Sequence, residues 1–261
     1  MCKKTIDRTG ETRLNNFGSK IIIVEYRKYK DIDVYFPEYN WTARSVQYGD
    51  FKKGNIKCPY EPRFYGKGFI GEGKYRASEN SKRTKCYDVW CHMLNRCYNP
   101  KYHEKKPTYK DCEVCEEWLN FQNFSEWFID NYYEIEGQRM DLDKDILNKG
   151  NKIYSPENCI FVPERINTLF TKRDKLRGEY AIGVSYYKYN RKFLVRCNIY
   201  NFEENKSKGI HLGYYDTPQQ AFEVYKQFKE QHIKEVAEYY KGKISKKLYD
   251  AMYRYEVDIN D

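Results

Sequence analysis

The spacing of apolar residues changes along the chain, and each change predicts a different kind of element. Residues 21–24 are an unbroken aliphatic run that predicts a buried strand, and residues 31–36 alternate polar and apolar as a half-buried strand does. Glycines follow at intervals that suit tight β turns, at Gly49, Gly54, Gly66, Gly68, Gly71 and Gly73. Residues 18–75 therefore predict a small β-barrel-like module.

A helical spacing takes over after the polar segment 76–85, which we expect to be a linker. Apolar residues at 89, 90, 93, 94 and 97 share one helix face, and Pro100 is expected to end that helix. A second stripe, of Trp118, Phe121, Phe124, Trp127 and Phe128, is expected to end near Gly137. Both stripes indicate core-forming helices.

Short strands and helices alternate in the rest of the chain. We expect a turn at 148–151, a strand over 159–162 and a helix whose first turn holds Pro163. Residues 180–230 predict three strands and a helix that begins at Pro218, capped by Asp216 or Thr217. The expected fold class is α+β with three modules. These are a small β module over 1–80, a central helical segment with a two-strand-and-helix (ββα) unit over 81–175, and a three-stranded sheet plus helix over 176–261, with a further C-terminal helix.

Composition indicates a folded protein outside the membrane. Aromatic residues make up 18% and charged residues 33%, and the mean hydropathy is −0.96. No aliphatic run could cross a bilayer and residues 1–16 contain no apolar signal core, so we expect a cytoplasmic protein. Nine cysteines, an odd number, argue against a disulfide framework and for buried thiols or a metal.

Positive charge is concentrated at the two ends of the chain. The formal charge of +9 divides into +6 for residues 1–80, −2 for 81–170 and +5 for 171–261. Two basic flanks around a slightly acidic centre suit a polyanion at the flanks and a cation at the centre. An ordinary basic surface is the alternative explanation.

Polar residues in the segment 140–170 have the types and spacing of a ββα metal site. Such a site places a carboxylate on one strand, a polar residue before the second strand and a further ligand on the helix. One hard cation can then stabilise the oxygen that leaves a phosphodiester. Asp143, Asn158 and Asn167 occupy these positions.

Residues 86–170 resemble the HNH endonucleases of phage homing type, in several submotifs that occur in order. These are Trp90, Met93-Leu94-Asn95-Arg96-Cys97-Tyr98-Asn99, Val114-Cys115-Glu116-Glu117-Trp118, Leu142-Asp143-Lys144-Asp145-Ile146-Leu147, Gly150-Asn151, Tyr154-Ser155-Pro156-Glu157-Asn158-Cys159 and Ile166-Asn167. The resemblance implies that Asp143 and Asn167 bind Mg²⁺ or Mn²⁺, that Asn158 braces the turn, and that double-stranded DNA is cleaved.

The chain departs from this family at the general base. Lys144 stands where the family commonly has histidine, and no histidine lies between His103 and His211. A lysine is a poor base unless its pKa is strongly lowered, so Asp145 is the nearest substitute and Lys144 the second choice. The alternative is a decayed nuclease in which these residues only hold a turn.

Cysteines in the central segment give a possible structural zinc site. Cys97, His103, Cys112 and Cys115 have a spacing that a tetrahedral set can adopt. Cys97 also lies on the apolar stripe of its helix and Cys115 lies near Trp118, so core thiols are the alternative.

Residues 178–230 resemble an AP2-type DNA-binding domain. The motifs are Gly183-Val184-Ser185-Tyr186, Arg191-Lys192-Phe193, Leu212-Gly213-Tyr214-Tyr215-Asp216-Thr217-Pro218 and Ala221-Phe222-Tyr225. Alternation along the second strand puts Phe193, Val195, Cys197 and Ile199 against the helix and Lys192, Arg196 and Asn198 on the opposite face. Arginine suits guanine and asparagine suits adenine. The resemblance adds Ser185, Lys188, Arg191 and His211 to the DNA contacts; a solvated polar face is the alternative.

The first module is similar to β modules that precede HNH-like segments in phage proteins. Lys52, Lys53 and Lys57, with Arg63 and Lys67, are expected to contact DNA phosphates. The whole pattern predicts site-specific binding and metal-dependent cleavage of double-stranded DNA in a bacterial cytoplasm, with no membrane and no small-molecule organic cofactor. The alternative is a catalytically silent relative that regulates DNA or inhibits a host protein.

Overall fold

Strands and helices are mixed along the chain, which confirms the α+β class. The computed structural model describes residues 6–171, 179–202 and 206–259. The strands are β1 (Thr12–Leu14), β2 (Lys20–Lys28), β3 (Asp31–Phe36), β4 (Trp41–Val46), β5 (Ser78–Glu79), β6 (Lys82–Arg83), β7 (Glu113–Val114), β8 (Met140–Asp143), β9 (Ile153–Tyr154), β10 (Ile160–Pro163), β11 (Val184–Tyr187), β12 (Lys192–Asn201) and β13 (Lys206–Tyr215). The helices are α1 (Tyr48–Lys53), α2 (Lys85–Tyr98), α3 (Pro100–Lys105), α4 (Glu116–Leu119), α5 (Phe121–Asn131), α6 (Glu164–Phe170), α7 (Pro218–Tyr239) and α8 (Lys246–Tyr253).

Two compact units make up the chain. The first contains residues 1–130 and 152–156, and the second contains 131–151 and 157–261. The predicted boundary between the second and third modules, at 175/176, lies inside the second unit. The three-module division stays a prediction.

The first unit begins with an open antiparallel sheet in the order β1-β2-β3-β4. Ile32, Val34 and Phe36 alternate on β3 and are fully buried. The predicted barrel was wrong, because the sheet does not close on itself. Helix α1 lies where glycines suggested a β turn, and Gly54 ends it in the left-handed conformation, with φ of 69°.

The rest of the first unit is mainly helical. The expected linker contains the hairpin β5–β6, and Thr84 then caps α2 by accepting a hydrogen bond from the Tyr87 backbone N–H. Trp90 on α2 and Trp118 on α4 are fully buried, as the apolar stripes predict. The second stripe is divided between α4 and α5 and ends at Asn131, earlier than expected.

The second unit contains the ββα arrangement that the sequence predicts. Strands β8 and β10 pair antiparallel, with Asp143 opposite Ile160 and Asp141 opposite Val162. Helix α6 follows β10 directly, because Pro163 ends the strand and precedes the first helical residue. Within 140–170, β8, β10 and α6 therefore follow one another in the expected order, while the short strand β9 between β8 and β10 pairs with β7 instead.

A three-stranded antiparallel sheet, in the order β11-β12-β13, completes the second unit together with α7 and α8. The N-terminal half of α7 packs Ala221, Phe222 and Tyr225 against the sheet. Its C-terminal half packs Ile233, Val236 and Ala237 into a second core. That core also contains Ile160, Val162 and Ile166 of the ββα unit and Leu248 and Met252 of α8. One helix thus supports both the sheet and the ββα unit.

Candidate functional site

The sheet of the second unit has one face in the core and one face that carries polar side chains. Phe193, Val195, Cys197 and Ile199 pack toward α7, as the alternation predicts. Arg196 and Asn198 point to the opposite face and are exposed. Within the part of the chain that the structure describes, the Arg196 side chain forms no ion pair. Its guanidinium is therefore available to a ligand.

Register places further polar groups beside this pair. His211 lies opposite Arg196, and Gly209 lies opposite Asn198. A Cβ at Gly209 would lie 3.3 Å from the Asn198 side-chain oxygen, so the glycine leaves the amide of Asn198 uncovered. Arg196, Asn198 and His211 thus form a polar row across two strands.

Aromatic rings continue this outer face toward β11, a feature that the sequence prediction missed. The ring of Tyr214 lies 4.9 Å from that of His211 and 5.4 Å from that of Tyr187. Leu194, opposite Tyr214 in the register, is buried although it belongs to the outward-facing set of β12. Tyr189, at the β11–β12 turn, is 92% exposed. The dense tyrosines of residues 186–189 were the available signal.

The predicted cations at this end of the sheet lie at or near the β11–β12 turn. Lys188 and Arg191 are exposed, and Arg191 has φ of 54°. Lys192 is half-exposed and forms an ion pair with Asp216 at 3.1 Å. Ser185, on β11, is exposed as well. The side chains of the third predicted module that are expected to contact DNA are therefore at the surface of one sheet.

Asp143 is a partly buried carboxylate at the end of β8. Its Oδ1 accepts hydrogen bonds from the backbone N–H groups of Asp145 at 2.9 Å and Ile146 at 2.7 Å. Burial, and after it the negative charge of Asp145, raise the pKa of Asp143 to about 6, although the two backbone hydrogen bonds oppose the shift. The carboxylate is thus held in a place that disfavours its charge.

Asn167 contacts a carboxylate that the sequence prediction overlooked. Its Nδ2 donates to Oδ2 of Asp141 at 3.1 Å, and Asp141 also forms an ion pair with Arg139 at 2.9 Å. Asp141 and Asp143 are two residues apart on β8, so they share a face of the strand. This spacing was the signal that could have identified Asp141.

The other predicted catalytic residues brace the loop between β8 and β10. Lys144 is buried, and its Nζ donates to the Asn151 backbone oxygen at 2.9 Å and to Asp145 at 3.2 Å. Asn158 accepts a hydrogen bond from Asn148 at 2.9 Å. An ammonium group that donates to two acceptors favours a structural role for Lys144 over that of a general base.

The donor set at this unit fits a hard cation. Mg²⁺ usually takes one or two carboxylates and keeps several waters, and oxygen is its preferred ligand atom. Asp143 accepts both turn hydrogen bonds through Oδ1, and Asn167 donates its hydrogen bond through Nδ2. These bonds leave one side-chain oxygen of each residue for a cation. Across the described ranges, no group of three or more His, Cys, Asp and Glu side chains is arranged to hold a metal. A cation here would therefore need water or phosphate oxygens in addition.

The proposed zinc ligands each have a local explanation. The Nε2 of His103 lies 2.8 Å from the backbone oxygen of Arg96, and Cys97 and Cys112 are buried. Cys115 immediately precedes α4. The four do not form a metal-binding group. The zinc site stays a prediction without support from the geometry.

The predicted phosphate contacts of the first unit lie in and after α1. Lys52 and Lys53 occupy its last turn, where a positive charge complements the helix dipole. The Nζ of Lys57 lies 5.5 Å from the ring centroid of Phe17, as does the guanidinium of Arg63. Lys67 is exposed. Contact between these cations and DNA stays a prediction.

Comparison with known proteins identifies no relative. No protein-family model matches the chain, and no curated protein and no solved structure is detectably similar to it. Among the described residues, none of the helices combines the length and the apolar character that a bilayer crossing requires. A proposal about function therefore depends on the residues themselves.

Proposed function

We propose that this protein binds double-stranded DNA in a sequence-dependent manner through the outer face of the sheet β11–β13. The observation that carries the proposal is the exposed polar row of Arg196, Asn198 and His211, on the face opposite the core. An exposed polar row on a sheet that a helix supports from behind is suited to a rigid ligand. Lys188 and Arg191 add positive charge at one end of this face.

The side-chain types on this face fit the edges of bases. The major groove is wide enough to admit strands, and an arginine can bind guanine and an asparagine adenine through paired hydrogen bonds. The rings of Tyr187 and Tyr214 offer apolar contact to a thymine methyl group. Lys188 and Arg191 would contact phosphates, which fixes the register without reading sequence.

Substitution of Arg196 tests this proposal. Bound sequences are first selected from a random duplex pool, and Kd is then measured for the selected duplex and for an unrelated one. Arg196→Ala should weaken the selected complex by about 10- to 100-fold and the unrelated one much less. Lys246→Ala, a change at an exposed residue on α8, is the matched control and should alter neither Kd. An equal loss on both duplexes would contradict base reading.

A second candidate function, metal-dependent cleavage of the bound DNA, is favoured by the unusual carboxylate at Asp143. Asp143 and Asn167 would hold Mg²⁺ or Mn²⁺ through their remaining oxygens, and the ion would stabilise the leaving phosphodiester oxygen. Asp145, which is half-exposed, would accept the proton of an attacking water. Lys144 and Asn158 would keep the loop in shape.

Nicking of supercoiled plasmid tests the cleavage candidate. With Mn²⁺ and DNA that contains the selected sequence, the wild type should nick and Asp143→Ala should not, whereas Lys246→Ala should nick like the wild type. Intact binding without nicking would favour the catalytically silent DNA-binding regulator. An inhibitor of a host protein would instead show no salt-sensitive affinity for DNA.

A further inference from the structure

Four aromatic side chains lie in a row along the outer face of the sheet β11–β13. The ring centroid of Tyr187 lies 5.4 Å from that of Tyr189 and 5.4 Å from that of Tyr214. The series ends at His211, whose ring lies 4.9 Å from that of Tyr214. These four residues, called here the aromatic row, extend from the β11–β12 turn to the polar row, to which His211 also belongs.

Two of these rings meet over the middle strand of the sheet. Tyr187 is on β11 and Tyr214 is on β13, and β12 lies between those two strands. Their side chains therefore lean toward each other across β12, where Leu194 is only 5% exposed although it faces outward. Tyr187 is 36% exposed and Tyr214 is 39% exposed, as expected of rings with one side on the sheet and the other toward solvent. The sheet thus supports an aromatic surface from below.

Tyr189 extends this surface at the turn and has no part in the core. It is 92% exposed, and the one ring contact that it makes within the described residues is with Tyr187. Contact with a thymine methyl group accounts for the two middle rings at most and leaves Tyr189 without a ligand. Lys188 and Arg191, on either side of Tyr189 in the chain, are exposed cations. Rings and cations together fit a ligand that is both aromatic and anionic.

Unpaired bases fit the aromatic row better than paired bases do. Within a duplex, each base is covered on both faces by its neighbours and offers a protein only its edges in the grooves. An unpaired base has free faces, and proteins commonly hold it by stacking it on an aromatic side chain. The hydrogen-bonding groups of the polar row suit base edges, whereas the rings of the aromatic row suit base faces. The two rows are therefore suited to different parts of a DNA target.

We propose that the aromatic row binds the unpaired bases of a single-stranded DNA tail next to the duplex that the polar row holds. This inference rests on the proposed binding of duplex DNA and adds the structural class of the target, a duplex with a single-stranded tail. Lys188 and Arg191 would contact the phosphates of the unpaired strand, beside the ring of Tyr189. Because the two rows share His211, the duplex and its tail are bound side by side.

Tailed duplexes test the inference on the full wild-type chain. The probes are the selected site as a blunt duplex and the same duplex with a tail of about six thymidines, placed in turn on either strand at either end. At least one of these tails should lower Kd by about tenfold, as expected when one or two bases stack on aromatic side chains. The matched control is a tail of abasic sites, which has the same phosphates but no bases. It should lower Kd by less than about threefold.

The outcomes separate this inference from the proposed function. If the blunt duplex is bound and none of the thymidine tails strengthens binding, only the role of the aromatic row is excluded. Equal gains from thymidine and abasic tails would show contact with phosphates alone and would also overturn base stacking. If no duplex is bound, with or without a tail, both proposals fail. Binding of the tail as a free single strand, without binding of the blunt duplex, would overturn the proposed function and the tailed duplex as the target.

Substitution of Tyr189 provides a second measurement. Tyr189→Ala removes one ring of the aromatic row at a residue that packs against little else, so the fold should be retained. The ratio of Kd between the blunt and the tailed duplex should fall from about tenfold to about threefold or less. Tyr189→Phe keeps the ring and should keep the ratio, as should Lys246→Ala, a change at an exposed residue of the same unit. An unchanged ratio for Tyr189→Ala, or a lost one for Tyr189→Phe, would overturn stacking on this ring.

Discussion

Asp143 is expected to reduce the stability of the folded protein at neutral pH. The pKa of Asp143 rises from 3.8 to about 6 on folding, because the side chain is buried and lies beside Asp145. A raised folded-state pKa means that the folded protein binds the proton more tightly. The stability that this proton provides is fully present below about pH 4 and is lost as the pH rises through 6.

The substitution Asp143→Asn removes this electrostatic cost and keeps the turn. An asparagine side-chain oxygen can still accept the backbone hydrogen bonds of Asp145 and Ile146. A shift of about two pKa units corresponds to about 3 kcal/mol, and partial solvent exposure of the side chain reduces this to about 2 kcal/mol. The expected gain in Tm at pH 8 is therefore about 4–8 °C.

Thermal unfolding at two pH values measures the effect. The gain of Asp143→Asn should be largest at pH 8 and about a third as large at pH 4.5, where the wild-type Asp143 is protonated in the folded protein and only partly protonated in the unfolded chain. Asp141→Asn is the matched control, because Asp141 has a favourable ion pair with Arg139 and should lose stability at pH 8. A gain of equal size at both pH values, or a loss at pH 8, would refute the electrostatic reasoning.

Three further changes have definite expected results. Lys144→Ala removes the ammonium that donates to the Asn151 carbonyl and should lower the free energy of unfolding in urea by about 1–3 kcal/mol; unchanged stability would argue against the bracing role. Gly183→Ala should lower Tm strongly, since Gly183 has φ of 77° and a Cβ there would lie 2.1 Å from the Tyr225 ring; a normal Tm would contradict that packing. Millimolar Mn²⁺ should raise the Tm of the wild type at pH 8 but not that of Asp143→Asn, and an equal rise in both would place the ion elsewhere.

Sequence periodicity predicted the larger elements because their apolar faces are long enough to show a period. The stripe that contains Trp90 and the alternation around Val195 are both explained by burial in the structure. Helix α1 was missed because it has only six residues, and its buried pair, Tyr48 and Phe51, is too short a pattern to distinguish from a turn. The second stripe was expected to run too far, because residues 132–136 contain no glycine or proline that would end a helix before Gly137.

Individual contacts at the candidate site could not be predicted from residue types alone. Chain order suggested that Asn167 accompanies Asp143, but the register of β8 and β10 places the amide of Asn167 against Asp141. Lys144 is buried because the loop folds back and brings the Asn151 backbone oxygen to its Nζ. No local sequence pattern predicts that contact. The contact between the outer tyrosines could not be predicted, because strand pairing is what brings the ring of Tyr187 near that of Tyr214.

The shared helix α7 also determines how the second unit unfolds. A chain that ended near residue 230 would retain Ala221 and Phe222 against the sheet but would lack Ile233 and Val236, leaving the ββα unit without one wall of its core. Backbone amides of β8 and β12 should therefore exchange their hydrogens in one cooperative opening rather than in two. A substitution on α7 that destabilises either the sheet or the ββα unit is therefore expected to destabilise the other as well.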